Sequence, residues 1–187
     1  MVFSEKKVTL RDGRTITLRS AEPEDAEALL RYLKATTAES PYLLRGSEEI
    51  TMTVGQEQSF VQGKKESPRE LLLLAFCGDE HIGTCSIDSV GSFERCRHRC
   101  GLGIALYRKY CGLGIGGIML NEVLETAYAM GYEQAELEVI AGNTRAIHLY
   151  EKLGFRKYGT MPDNLKYQDG SYADAVWMMK KLTEEHD

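Results

Sequence analysis

The chain of 187 residues contains no long apolar run. Its longest, Leu71 to Cys77, falls far short of the ~20 residues that span a bilayer, so no membrane-crossing helix and no membrane partner are expected. Met1 to Lys7 has no apolar core of a secretory signal, and the expected location is the cytoplasm. The cysteines, Cys77, Cys85, Cys96, Cys100 and Cys111, are odd in number and form no Cys-x-x-Cys pair, which suits reduced thiols and excludes a disulfide framework. Alternation would put Cys96, His98 and Cys100 on one strand face. No second ligand pair of matching spacing follows them, so no metal site is expected. A net charge of -5 lacks the basic excess of a nucleic-acid binder. One local cluster, Arg95, Arg97, Arg99, Arg108 and Lys109, is opposed nearby only by Glu94. It reads either as a solvated strand face with its loop or as an attractor of phosphate.

Repeats, low-complexity stretches and linkers are absent too, while 43% hydrophobic and 27% charged residues suit a packed core. One domain over residues 1–187 follows. Lys7 to Leu10 and Thr15 to Arg19 flank Arg11-Asp12-Gly13-Arg14, where Asp-Gly signals a hairpin. Pro23 opens a helix whose apolar face is Ala26, Leu29, Leu30 and Leu33. Thr53 and Gln56 form a capping box for a second helix ending before Pro68, with an irregular stretch from Thr36 to Met52 between the two. Strands follow at Leu71 to Cys77, His81 to Ile87 and about Arg99 to Leu106. A helix runs from the glycine stretch at 112–117 to Met130, with Leu120, Val123, Leu124 and Ala127 on one side, and Gly131 stops it. Ala135 to Ile140 is a strand. Asn143 caps a last helix that stops at Leu153 before Gly154, and strands Arg156 to Thr160 and Ala173 to Lys181 close the chain.

Gly112-Leu113-Gly114-Ile115-Gly116-Gly117 carries chemistry because it joins a strand to a helix. The first N–H groups of a helix lack acceptors and bear partial positive charge, and glycine lets an anion approach the backbone closely. Four glycines in six residues at a helix start point to a pyrophosphate site. Gly112-x-Gly114-x-x-Gly117 also matches the dinucleotide fingerprint formally, with Glu136 and Glu138 in the next strand. There the strand should run almost straight into the first glycine, whereas Tyr107 to Cys111 intervene here. The roughly 70 residues after Gly117 are also too few for the further strand–helix units that such a domain needs.

A second segment, Asn143-Thr144-Arg145-Ala146-Ile147-His148-Leu149-Tyr150-Glu151-Lys152-Leu153-Gly154-Phe155, stands in register with this loop. Together with Cys111-Gly112-Leu113-Gly114-Ile115-Gly116, it resembles the two motifs of the GNAT superfamily of N-acetyltransferases. Asp169-Gly170-Ser171-Tyr172 leading into Val176-Trp177-Met178 resembles the branch containing ribosomal-protein N-terminal and polyamine acetyltransferases. The resemblance implies an α+β fold of three layers (α/β/α), with a mixed central sheet of about seven strands and four main helices. It implies acetyl-CoA as cosubstrate, without a metal, and transfer to a primary amine of a small molecule or peptide. It places the cofactor on Leu106, Tyr107, Gly112, Leu113, Gly114, Ile115, Gly116, Gly117 and Asn143. Two positions depart from the family pattern: Cys111 replaces the usual Arg or Gln, and Gly101 stands where many relatives carry glutamate. A CoA-binding regulatory domain with little turnover is the alternative that these departures suggest.

An amine attacks a thioester only when unprotonated, and alkylammonium groups have pKa values near ~10.4. The site must accept a proton, stabilise an oxyanion and protonate the departing sulfur. Tyr150, two helical turns from Asn143 and on the same face, is the expected general acid. Asp88, Glu94 and Glu138 are the candidate bases beside a water chain, with Glu138 preferred. His81 and His148 read as surface residues. The acceptor cleft is expected between the first two helices, the Thr36 to Met52 stretch and the loop before the last strand. Open strand edges near the C-terminus allow a homodimer.

Overall fold

The computed structural model describes residues 2–91 and 93–182. Met1, Ser92 and residues 183–187, which the expected 1–187 domain includes, lie outside the described residues. The described chain forms one mixed sheet between two helical layers. Its strands are β1 (Lys6–Thr9), β2 (Thr15–Ser20), β3 (Leu71–Cys77), β4 (Glu80–Ser89), β5 (Arg99–Leu106), β6 (Gln134–Ile140), β7 (Arg156–Lys166) and β8 (Tyr172–Lys181). Their spatial order is β1-β2-β3-β4-β5-β6-β8-β7. Only β5 and β6 run parallel. The sheet has eight strands, as the chain pattern indicates, against the seven or so that the resemblance implies; the Asp12-Gly13 turn, with Gly13 at φ 85°, folds β1 onto β2 as the expected hairpin.

Side-chain alternation divides the sheet into two faces. Leu74 meets α1 (Ala26–Glu39) and α2 (Val54–Glu66) through Ala21, Leu29 and Val61. Leu73, Cys85, Ile87 and Leu137 meet α3 (Ile115–Ala129) and α4 (Thr144–Lys152) on the other side. Fully burying one such aliphatic side chain contributes about 1.5–3 kcal/mol, so these rows fix which face each helix covers. The Thr53–Gln56 capping box opens α2, with the Gln56 N–H donating to Thr53 Oγ1 at 3.2 Å. Pro23 starts a single 3-10 turn rather than the α-helix itself, which begins at Ala26. Gly131, at φ 82°, follows α3 and stops it.

His81 is a correction. Its place beside the Gly78-Asp79 turn reads as surface, but it is buried in contact with the rings of Tyr32 and Phe76. A register shift between Ala75 and Phe76 rotates the hairpin end so that His81 pairs with Phe76.

Candidate active site

Strands β5 and β6 pair only from Arg99–Gln134 to Gly101–Glu136 and then part. Beyond that point β5 keeps β4 on one side and β6 keeps β8 on the other. In a ladder successive peptide groups point to opposite neighbours, so alternate N–H and C=O groups of Leu102 to Leu106 face an open gap. Buried backbone polar groups require partners. This wedge therefore suits an extended molecule carrying amides of its own, which is what the pantetheine arm of CoA is.

The wedge leads to the glycine loop. Tyr107 follows β5, a short turn spans Arg108–Tyr110, and Gly112 and Gly114 adopt φ 89° and 84° before α3 begins. Among the described residues, no backbone N–H from Gly112 to Gly117 donates to a protein acceptor. Unpaired donors at the positive end of a fifteen-residue helix are chemically suited to an anion. A Cβ at Gly112 would lie 2.7 Å from Arg145 Nη2, so the Arg145 guanidinium covers the loop. Arg145 makes no ion pair among the described residues, which leaves its charge unneutralised beside the loop. Sequence reasoning quoted Arg145 without giving it a role. Its signal was a cation at the second position of a helix whose cap lies beside the loop.

The basic cluster, which reads either as a solvated strand face or as an attractor of phosphate, is mostly engaged with protein acceptors. Arg99 forks onto Glu136, Arg97 meets Glu94 at 3.3 Å, Lys109 meets Glu80 at 2.6 Å, and Arg108 bonds to the Glu39 carbonyl at 2.6 Å. Each carboxylate or carbonyl already occupies its cation, so the cluster stitches the sheet and loops together.

Asn143 caps α4, its Oδ1 accepting from the Ala146 N–H at 3.3 Å. Two turns later Tyr150 is 7% exposed, its ring edge-on to Phe155 at 5.9 Å. Its hydroxyl has no hydrogen-bond partner among the described residues, and burial raises the phenol above its ordinary pKa. The buried Cys85 thiol, a second cause of that rise after burial itself, is its titratable neighbour, and Cys85 pairs with Ile104. The phenol thus lies beneath the unpaired stretch of β5. Gly116 and Gly117 let α4 approach closely there, with Leu149 3.3 Å and 3.6 Å from where their Cβ atoms would be.

Of the expected backbone contacts, those of Tyr107 are already taken. Its N–H donates to the Ile82 carbonyl at 3.1 Å and its C=O accepts from Tyr110 at 2.9 Å. This leaves the wedge lining to Leu106 and the residues before it.

On the α1/α2 face, where β5 and β6 begin to part, lies a cleft of about 280 Å³. Asp88, Glu136 and Glu138 line it, with Tyr158 and Trp177 as an edge-to-face pair at 6.1 Å. Two of the three carboxylates are neutralised. Asp88 holds the Lys64 ammonium and accepts from Ser86 Oγ at 2.8 Å, and the Arg99 guanidinium keeps Glu136 below the usual carboxylate range. Glu138 has only a neutral partner, Asn164 Nδ2 at 2.8 Å. Glu94, a third candidate base, projects from a turn as an 86% exposed side chain and does not line the cleft. The segment at 36–52 contributes no lining residue to this cleft. It bridges loops beyond it: Pro41 accepts from Tyr167 Oη at 3.0 Å, and Tyr42 lies over Gly142. Among the described residues no cluster of His, Cys, Asp and Glu could hold a metal ion, and no helix is long and apolar enough to cross a membrane.

Residues 32–155 match the model of the acetyltransferase (GNAT) family, well over half of the chain. The chain belongs to that family, and it is an N-acetyltransferase that draws its acetyl group from acetyl-CoA. Its fold is similar to the acetyltransferase of the GNAT family from Streptococcus pneumoniae, at TM-score 0.85 and 29% identity over 89% of this chain and 99% of that one. It is similar to YncA from Salmonella typhimurium, solved with acetyl-CoA, at TM-score 0.80 and 18% identity over 92% and 96%. It also resembles the ribosomal-protein-alanine N-acetyltransferase of Brucella melitensis, at TM-score 0.78 and 22% identity over 88% and 98%.

Proposed function

We propose that this chain acetylates a primary amine of a small molecule or peptide, with Tyr150 as general acid and Glu138 as the group that receives the amine proton. The observation that carries this reading is the continuity of three features: unpaired N–H groups at 112–117, the parted strands, and the phenol beneath them. Acetyl-CoA supplies an activated acyl group as a thioester. The loop and Arg145 hold its phosphates, Leu106 and the residues before it hold the pantetheine amides, and the Asn143 amide borders the same groove. Backbone donors at the wedge are fixed before reaction and suit a developing oxyanion. The amine enters from the α1/α2 face as an ammonium and, once bound, loses one proton to solvent. As its nitrogen bonds to the acetyl carbon and the carbon–sulfur bond breaks, Glu138, directly or through water, takes the second amine proton. Tyr150 gives its proton to the sulfur and is reprotonated from solvent. A desolvated phenol stays protonated at neutral pH and suits that task.

Gly101, in place of the glutamate of many relatives, supports a second reading, a CoA-binding regulatory domain with little turnover. Thermal melting with acetyl-CoA, CoA and NAD(P) tests the cofactor class. At one hundred times its Kd, a ligand adds about 2.7 kcal/mol, a rise of about 5–10 °C at this chain length. A rise with the CoA species and none with NAD(P) is expected. A rise with NAD(P) alone would overturn the reading.

A further inference from the structure

We propose that the cleft beside Gly101 selects an unbranched alkylammonium acceptor, and that the missing side chain at Gly101 makes room for the acceptor's chain. The inference rests on the acyl-transfer reading of the neighbouring wedge. Glycine inside a strand weakens it, so it needs a local cause. Gly103, on the same face of β5, has one: a Cβ there would crowd Ser86 Oγ at 3.1 Å. Gly101 has none. Its φ is not in the left-handed region, and a Cβ would meet nothing nearer than the Asp88 carbonyl at 3.8 Å and Val90 Cγ2 at 4.0 Å. Neither backbone conformation nor packing demands a glycine there, and the space left bare is the cleft itself.

The chemistry of the walls describes the guest. Val90, Leu102, Leu137 and the Trp177 ring supply apolar surface. Leu102 and Leu137 belong to the core on the α3 side, so the cleft reaches into the gap between the strands, where the acetyl group is expected. Glu138 contributes the one carboxylate without a cationic partner, beside an aromatic face suited to a cation. A volume of about 280 Å³ lies at the lower limit of small-molecule sites, near ~300 Å³. A slender chain ending in an ammonium group fits these constraints, and a branched carbon next to the nitrogen does not. A free alkylamine and a lysine side chain share this chemistry.

Trp177 is the sole tryptophan of the chain and lines the cleft, so its fluorescence reports occupancy without turnover. CoA-saturated wild type, Gly101→Ala and Gly101→Leu are titrated with n-pentylamine, with tert-pentylamine and with a tripeptide carrying one lysine. The expected result is a saturable change with n-pentylamine, at least tenfold weaker in Gly101→Leu and intermediate in Gly101→Ala. No saturation with tert-pentylamine is expected over the same range. The lysine peptide saturating as readily as n-pentylamine identifies a lysine side chain as the source, and weaker binding identifies a free amine. The melting rise with CoA shows that each variant is folded. Equal binding by wild type and Gly101→Leu, equal binding of the two pentylamines, or no saturable change in wild type would overturn the proposal. Loss of the CoA melting rise in wild type would remove the acyl-transfer reading instead, and the same titration without CoA would still decide the cleft.

Discussion

Replacing Tyr150 by Phe separates what the phenol does for the fold from what it does for the reaction. The Tyr150 ring is buried, while its hydroxyl makes no hydrogen bond among the described residues and is not sealed from solvent. Tyr150→Phe keeps the ring against Phe155 and removes a hydroxyl that no protein group pairs with. The stability of the ligand-free protein should therefore stay within about 0.5 kcal/mol of wild type, about 2 °C in Tm at this length. Turnover should fall. Loss of a general acid costs about 10²–10⁴-fold in rate, or roughly 3–5 kcal/mol of barrier. Burial raises the phenol above its ordinary value of 10.0, so wild-type kcat should show no loss from Tyr150 ionisation up to that pH. The assay pairs calorimetry of the free protein with thiol release at saturating acetyl-CoA. A Tm lowered by more than about 2 °C, or a kcat within about threefold of wild type, would refute the assignment.

Gly112→Ala places a side chain at φ 89° and drives it against the Arg145 guanidinium, at about 1–2 kcal/mol for the backbone alone. Titration calorimetry should show acetyl-CoA bound about tenfold more weakly or worse. Arg145→Ala should weaken acetyl-CoA by roughly ten- to a hundredfold, since a hydrogen bond to a charged group is worth about 1.5–3 kcal/mol, and leave kcat at saturation unchanged. Unaltered affinity would remove Arg145 from the phosphate site. Burial lowers the pKa of His81, so the unfolded chain takes up its proton first as the pH falls. Its contribution is fully present above about pH 6.5 and is lost below it. Urea midpoints should therefore fall between about pH 7.5 and pH 5.5, and His81→Phe should flatten that fall.

The helices were legible because their signals are local. Thr53 with Gln56, Asn143, Gly131 and Gly154 mark ends through backbone geometry and capping alone. The glycine loop was legible for the same reason. Strand β7 was harder: it runs past the expected Thr160 to Lys166, through Pro162 and through Asp163 at φ 52°. Proline and a left-handed residue ordinarily interrupt a strand, yet an edge strand tolerates both because one of its sides makes no ladder. Partners distant in sequence were hidden. Nothing local says that Arg99 is spent on Glu136, that Asp88 holds Lys64, or that Glu138 keeps only an amide. Pairing of β4 with β5 brings Asp88 beside Gly101, and that register joins two positions noted separately in the sequence into one cleft.

Amine-dependent release of CoA by the purified protein tests the account most directly. Free thiol should appear only when acetyl-CoA and a primary amine such as n-pentylamine are both present, with the acetylated amine recovered in equal amount. A protein whose melting point rises with acetyl-CoA, yet which releases no thiol with any primary amine, would contradict acyl transfer and leave a CoA-binding module in its place.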